Sequence, residues 1–173
     1  MQLTAEQVNT LQRMALDIIT NEAKTTRRVI EAIPPDRSHY KPDPISKSAL
    51  QLARHIAVSE LHFLRSIGAG KFDYIYSMPE SVETPAEIAA WYAKEIEKAT
   101  AELRSMSPAE LGKPMEFLGT MEMPAVLYLT LAVHHSIHHR GQLTAYIRPM
   151  GGKVPSIYGP NYEDDQAEKG TSA

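Results

Sequence analysis

The chain contains no cysteine among its 173 residues. Disulfide bonds, thiolate metal sites, Cys-x-x-Cys redox chemistry and a cysteine nucleophile are therefore excluded. Long apolar runs are also absent, because no stretch approaches the roughly 20 apolar residues that a membrane-spanning helix needs. The first residues lack the basic and then apolar pattern of a signal peptide. We therefore expect a cytoplasmic protein that has no membrane partner.

An excess of positive charge is missing as well, since the formal net charge is -3. Phosphate contacts need a basic face, so we expect no nucleic-acid partner. The hydrophobic fraction of 43% and the charged fraction of 23% are ordinary for a globular protein. The length suits one domain with a sizeable core. We predict a single domain over residues 1–160 and a mobile, solvated tail over residues 161–173.

Helical spacing of apolar residues dominates what the chain does contain. Segments beginning at Thr4, Thr84 and Ser107 each place a hydroxyl residue three positions before Gln or Glu, which is the pattern of a helix-starting capping box. No segment has a convincing strand pattern. The predicted long helices cover about residues 4–33 and 46–68, a third helix from 85 to beyond Leu103, and a fourth over about 122–149. The sequence therefore predicts an all-α fold, a four-helix bundle.

The fourth predicted helix carries the greatest concentration of reactive side chains, because residues 134–139 include four of the seven histidines. Residues four apart project from the same side of a helix. His135 with His139, or His134 with His138, could therefore hold one metal ion between two imidazoles.

Apolar residues surround the whole of this helix. The stripe predicted to face inward contains Tyr128, Leu131, His135, His139, Gln142 and Tyr146. The opposite side is apolar too, with Val126, Leu129, Val133 and Ile137. A helix that is apolar all round is either central or covered by a second subunit. We therefore predict a homodimer packed partly through this second face, with Arg140 in an ion pair between subunits.

The second predicted helix carries one narrow polar stripe between two apolar ones, an arrangement typical of an internal pocket. Its members are Ser48, Gln51, His55, Ser59, His62 and Ser66. His55 lies where a facing helix could present His135 and His139, which would place three imidazoles around one point. Three neutral imidazoles suit zinc, nickel, copper or ferrous iron. Three protein ligands with an open position are the catalytic pattern, whereas structural zinc sites are usually closed by four.

Simple packing is the alternative for each of these histidines. A histidine in a helix can satisfy a hydrogen bond in the core without binding metal. His62 is a further candidate ligand or acid/base, although packing explains it equally. The loop residues Tyr74, Tyr76 and Met78 are candidates for setting the specificity of a pocket.

The motif His135-x-x-x-His139-Arg140-Gly141-Gln142-Leu143 resembles the last-helix motif of the DinB/YfiT-like proteins. The similarity continues through Tyr146-Ile147-Arg148 and into Val154-Pro155-Ser156-Ile157-Tyr158-Gly159-Pro160. The segment Leu52-Ala53-Arg54-His55-Ile56-Ala57 is similar to the other histidine-bearing position of that family. The resemblance covers about residues 5–160 and is specific in the last helix.

This resemblance implies a four-helix bundle, usually dimeric, that holds one divalent metal ion with His55, His135 and His139. Zinc and nickel are the first expectations, with iron and copper as alternatives. Relatives include metal-dependent S-transferases and isomerases that use low-molecular-weight thiols. Since the chain has no cysteine, any thiol would come from an external cosubstrate.

Two functions follow as expectations. The first is a metal-dependent enzyme that activates water or a thiol, giving hydrolysis or S-transfer to a small electrophilic substrate. Ser59, Tyr128, Gln142 and Tyr146 are candidate contacts to the ligands or the substrate. The second is a non-catalytic, stress-related bundle in which the ion is structural. A bundle without metal is the third alternative.

Overall fold

The predicted helix starts are confirmed in the computed structural model, which describes residues 2–72 and 76–171. The hydroxyls of Thr4, Thr84 and Ser107 each accept a hydrogen bond from the backbone N–H three residues later, and the side chain there bonds back to the cap. Ser48 forms the same capping box with Gln51. These two residues therefore begin a helix, and the pocket-lining role predicted for them stays a prediction.

Four long helices form the bundle that the sequence predicts. The long helices are α1 (Ala5–Glu31), α2 (Ala49–Ala69), α3 (Pro85–Arg104) and α5 (Tyr128–Ile147). Two shorter helices are α4 (Pro108–Leu111) and α6 (Tyr162–Thr171). Both α1 and α2 pack against α3 and α5, which closes the four long helices around one core. Fully buried side chains from all four fill it, including Leu16, Ile19, Ile56, Leu64, Ile88, Tyr92, Leu129 and Leu143.

A β-hairpin precedes α5, where the sequence predicted only helix from residue 122. Strand β1 (Pro114–Phe117) pairs antiparallel with β2 (Met121–Pro124), and a 3-10 turn at Ala125–Leu127 leads into α5. The turn places Leu118 at φ 52° and Gly119 at φ 68°. The strongest sequence signal of a two-residue hairpin turn is Asn-Gly or Asp-Gly, and this segment contains neither. The absence of strands was therefore a wrong prediction.

The apolar face of α5 that suggested a dimer is covered within the chain. Val126 and Leu129 are fully buried and Val133 is nearly so, against the other helices of the same chain. The reason given for a second subunit at this face therefore no longer holds. The homodimer itself stays a prediction.

The segment after residue 160 contains the helix α6. Its residue Glu163 forms a bidentate ion pair with Arg148 at 2.9 Å from each carboxylate oxygen, which ties the start of this segment to the end of α5. The mobility of the tail and the domain boundary at residue 160 stay predictions. None of the helices in the described ranges has the length and apolar character to cross a membrane. The cytoplasmic location stays a prediction.

Candidate metal centre

Packing of α2 against α5 brings His55, His135 and His139 together. One ring nitrogen from each lies within 4.8 Å of the others, and all three side chains are half-buried. The Nε2 atoms of His55 and His139 are 3.1 Å apart. The ring centroids of His135 lie 5.2 Å from His55 and 4.4 Å from His139. The three histidines named from the sequence therefore form one cluster that could hold a metal ion.

Two neighbouring side chains orient these rings. Gln142 accepts a hydrogen bond from Nδ1 of His139 at 2.8 Å, and its amide donates to Nε2 of His138 at 3.1 Å. Ser59 lies one turn after His55 and places its hydroxyl 3.2 Å from Nδ1 of that ring. With the proton of His139 on Nδ1, its Nε2 carries a lone pair that points at His55. Partners of this kind fix the tautomer and the orientation of metal-binding histidines.

The surroundings of His135 and His55 favour their uncharged forms. Burial, followed by the neighbouring His139 and His55, lowers the pKa of His135 to about 4. Burial and His139 also lower the pKa of His55. Metal binding requires neutral imidazoles, so the lowered pKa values keep the ligand form present at neutral pH.

The donor set fits a divalent ion. Two ring nitrogens face each other at 3.1 Å, which satisfies both in the metal-free state only if one of them carries a proton. Nδ1 of His135 is buried and has no hydrogen-bond partner in the part of the chain that the structure describes. A cation bound between the three rings would accept the lone pairs of the facing nitrogens, so that neither nitrogen would need to carry a proton. No aspartate, glutamate or fourth histidine joins the cluster within the described ranges, which leaves room for another ligand.

The other sequence candidates lie outside this cluster. His134 and His138 are exposed on α5, and only His138 is linked to it, through Gln142. His62 packs near the rings of Phe63 and Phe72, with centroids 6.4 and 6.0 Å away.

The candidate tyrosines have separate positions. The Tyr128 hydroxyl donates to the Met115 carbonyl at 2.8 Å and so fastens the β-hairpin. Tyr146 lines a cavity beside His139. Tyr76 donates to Glu95 and stacks on Trp91. Among the remaining loop candidates, Met78 is buried and Tyr74 lies outside the described residues.

Comparison with known proteins identifies the family of this chain. The model of the DinB family matches residues 7–171, which is nearly the whole chain. The chain belongs to the DinB family. It is 30% identical to the uncharacterized protein YjoA of Bacillus subtilis (strain 168) over 128 residues, which cover 73% of this chain and 82% of YjoA. A second B. subtilis protein, YrdA, is 41% identical over 54 residues, about a third of each chain.

Solved structures of DinB-like proteins share the bundle. The crystal structure of YjoA aligns with a TM-score of 0.72 at 25% identity, covering 86% of this chain and 99% of that one. A DinB-like protein from Bacillus cereus ATCC 10987 aligns with a TM-score of 0.69 at 24% identity, covering 83% and 95%. The predicted fold class and family are thereby confirmed.

Arg140 in this DinB-family chain makes its contacts inside the subunit, which corrects the prediction of an ion pair between subunits. Its side chain is 2% exposed, and Nη2 lies 2.6 Å from the carboxylate of Glu22 on α1. It also donates to the hydroxyls of Tyr158 at 2.6 Å and Thr26 at 3.3 Å. Because both faces of α5 are apolar, periodicity alone could not decide which face the rest of the bundle would cover.

The inward face of α5 is therefore rotated from the predicted one. The most buried stripe contains Ala132, Ser136, Arg140, Leu143 and Ile147. His135 and His139 lie beside this stripe and are half-buried. The histidine cluster of this DinB-family member thus lies at the edge of the bundle, between α2 and α5, where a ligand can reach it.

A buried carboxyl between α2 and α5 was not predicted from the sequence. Glu60 of α2 is 1% exposed, and its Oε2 accepts hydrogen bonds from the hydroxyls of Tyr92 at 2.6 Å and Ser136 at 2.7 Å. Burial raises its pKa to about 7, against the opposing effect of these two hydrogen bonds. A signal was present, because Glu60 lies four residues from both Ile56 and Leu64 on the apolar stripe of α2. The Glu60–Ser136 contact joins the two ligand-bearing helices.

Proposed function

We propose that this DinB-family protein is a divalent-metal-dependent enzyme in which His55, His135 and His139 hold one ion. The observation that carries the proposal is the convergence of three ring nitrogens within 4.8 Å, with no fourth protein ligand among the described residues. Zinc or nickel are the ions that we expect first, and iron or copper would suit the same donors.

The chemistry that such an ion supplies is Lewis acidity, which lowers the pKa of a water molecule or a thiol and makes it nucleophilic near neutral pH. The protein supplies orientation and access. Ser59 and Gln142 hold the rings of His55 and His139, and the position of the cluster at the edge of the bundle admits a small molecule. We propose that the substrate is a small electrophile. The reaction is either its hydrolysis or the transfer of a low-molecular-weight thiol onto it.

Metal content tests the site directly. Elemental mass spectrometry of tag-free protein should find about one zinc or nickel per chain, and His135→Ala should abolish it. His134→Ala is the matched control, because His134 neighbours His135 in sequence but is exposed and outside the cluster. Equal metal content in both variants, or none in the wild type after reconstitution, would refute the site.

Catalysis is tested separately from metal binding. A structural ion would be closed by its protein ligands, whereas an enzyme needs an exchangeable position. Cobalt-substituted protein should therefore change its visible spectrum on adding azide or a thiol. A spectrum unchanged by every such ligand would favour the structural role, and turnover that persists in metal-free protein would exclude the proposed mechanism.

A further inference from the structure

A cavity of about 490 Å³ opens beside the histidine cluster, between the segment before α2 and the second half of α5. His139 and its partner Gln142 form one side of this cavity. Ala145 and Tyr146 continue that wall along α5, and Ile45 lies across from them. The volume is in the range that holds small organic ligands. The histidine cluster is thus reached directly from a pocket with apolar walls.

The lining of this cavity carries a positive charge and no negative one. Lys47 is the one lysine or arginine of its lining, which includes no aspartate or glutamate. The Lys47 ammonium is exposed and forms no ion pair with any residue in the described ranges. An unpaired cation beside apolar walls is complementary to an organic anion.

The carboxylate nearest in sequence does not neutralise this cation. Asp43 accepts hydrogen bonds from the backbone N–H groups of Ile45 and Ser46 at 3.0 and 2.9 Å, and from the Ser46 hydroxyl at 2.5 Å. Its oxygens are thus engaged by the turn that they stabilise. The same turn holds Ile45 with 98% of its side chain exposed at the mouth of the cavity. A large apolar side chain held out of the core offers contact area to a ligand.

We propose that this cavity binds a small organic acid, with its carboxylate paired to Lys47 and its apolar chain against Ile45 and Tyr146. The other end of the molecule then lies at His139, so Lys47 selects anionic substrates for the site. That consequence for catalysis rests on the proposed function, whereas binding of the carboxylate does not require the ion.

The test is a titration of the full-length, ¹⁵N-labelled protein with hexanoate and with hexanamide, which has nearly the same shape without the charge. We expect saturable shifts of the Lys47 and Ala145 amide signals. Hexanoate should bind about fivefold more tightly than hexanamide, the gain expected of an exposed ion pair. Acetate should bind more weakly than hexanoate, because it lacks the apolar chain.

Variants assign the preference to one side chain. Lys47→Gln should bring the two affinities together, and Lys47→Arg should keep the difference. Lys41→Gln removes the same charge from the same loop and should leave the preference intact, since Lys41 interacts with Asp43 and lies outside the cavity lining. Equal affinities for hexanoate and hexanamide in the wild type, or a preference that survives Lys47→Gln, would overturn the inference.

The same titration, repeated in EDTA and after zinc loading, separates this inference from the proposed function. A carboxylate preference in protein that binds none of zinc, nickel, iron or copper would support the organic-acid site and refute the metal enzyme. Zinc binding without any carboxylate preference would overturn the organic-acid site alone.

Discussion

Glu60 should contribute a fall in stability of about 3 kcal/mol between pH 4.5 and pH 7, and replacing it by glutamine should remove that contribution. The carboxyl is fully buried and accepts two hydrogen bonds, from Tyr92 and Ser136, on one oxygen. Burial raises its pKa from the ordinary 4.5 to about 7. A rise of that size corresponds to roughly 3 kcal/mol of preference for the protonated form in the folded state.

The sign follows from which state holds the proton. At pH values between 4.5 and about 7, the unfolded chain has lost the Glu60 proton and the folded protein retains it. Because the folded state binds more protons in this range, the free energy of unfolding decreases as the pH rises. The contribution is complete below pH 4.5, falls as the pH rises through about 7, and is absent at higher pH. Glutamine mimics the protonated carboxyl at every pH and cannot titrate.

Urea denaturation followed by circular dichroism, at pH 5, 6, 7 and 8 in EDTA and at constant ionic strength, measures this difference. The lowered pKa of His135 gives the opposite slope, because its stabilisation is lost as the pH falls. Subtracting the Glu60→Gln curve from the wild-type curve removes that contribution. Glu97→Gln, an exposed change on α3, should keep the wild-type dependence. Parallel curves for wild type and Glu60→Gln would refute the reasoning.

Four other substitutions have expected outcomes. Arg140→Leu removes the cation that pairs with the partly buried carboxylate of Glu22, and should cost about 3 kcal/mol in the same urea assay. A cost below 1 kcal/mol would contradict the buried pair. Gln142→Ala removes the acceptor that fixes His139, and should weaken zinc binding 10- to 100-fold in a competition titration with little change in unfolding free energy; unchanged affinity would contradict that role. In Gly152→Ala the new Cβ would lie 2.8 Å from a neighbouring side chain and 2.9 Å from a backbone oxygen, which should lower stability by about 1–3 kcal/mol. Gly141→Ala meets no atom within 4 Å inside a helix, and should raise stability by up to about 1 kcal/mol.

Local chemistry explains why the helices could be predicted. A capping box such as Thr84 with Glu87 acts within four residues, and the apolar repeat of each helix is also local. The end of α2 is equally local, since Gly70 adopts the left-handed conformation that ends many helices. The hairpin before α5 was harder to predict in this way, because its loop at residues 118–120 lacks the Asn-Gly or Asp-Gly signal of a two-residue turn and offers only Gly119.

In the candidate site, too, local relationships along a helix could be predicted and contacts between distant segments could not. Helical spacing of four residues placed His135 beside His139, and the polar stripe of α2 pointed to His55. The contacts of Ser59 and Gln142 follow from the same spacing, since each lies three or four residues from its histidine. Glu60 was not singled out and Arg140 was assigned a partner in a second subunit, because their actual partners come from helices distant in sequence.

The sequence by itself determined the helix starts at Thr4, Thr84 and Ser107 and the residue types available to a metal site, because caps and helical spacing depend on neighbours within about one helical turn. Only the tertiary structure decided which face of α5 is inside, that Arg140 pairs with Glu22 within the chain, and that a cavity with Lys47 borders the cluster. Those outcomes depend on which surfaces the bundle buries together. Burial of apolar area is non-directional, so a helix that is apolar on every side does not specify its own orientation.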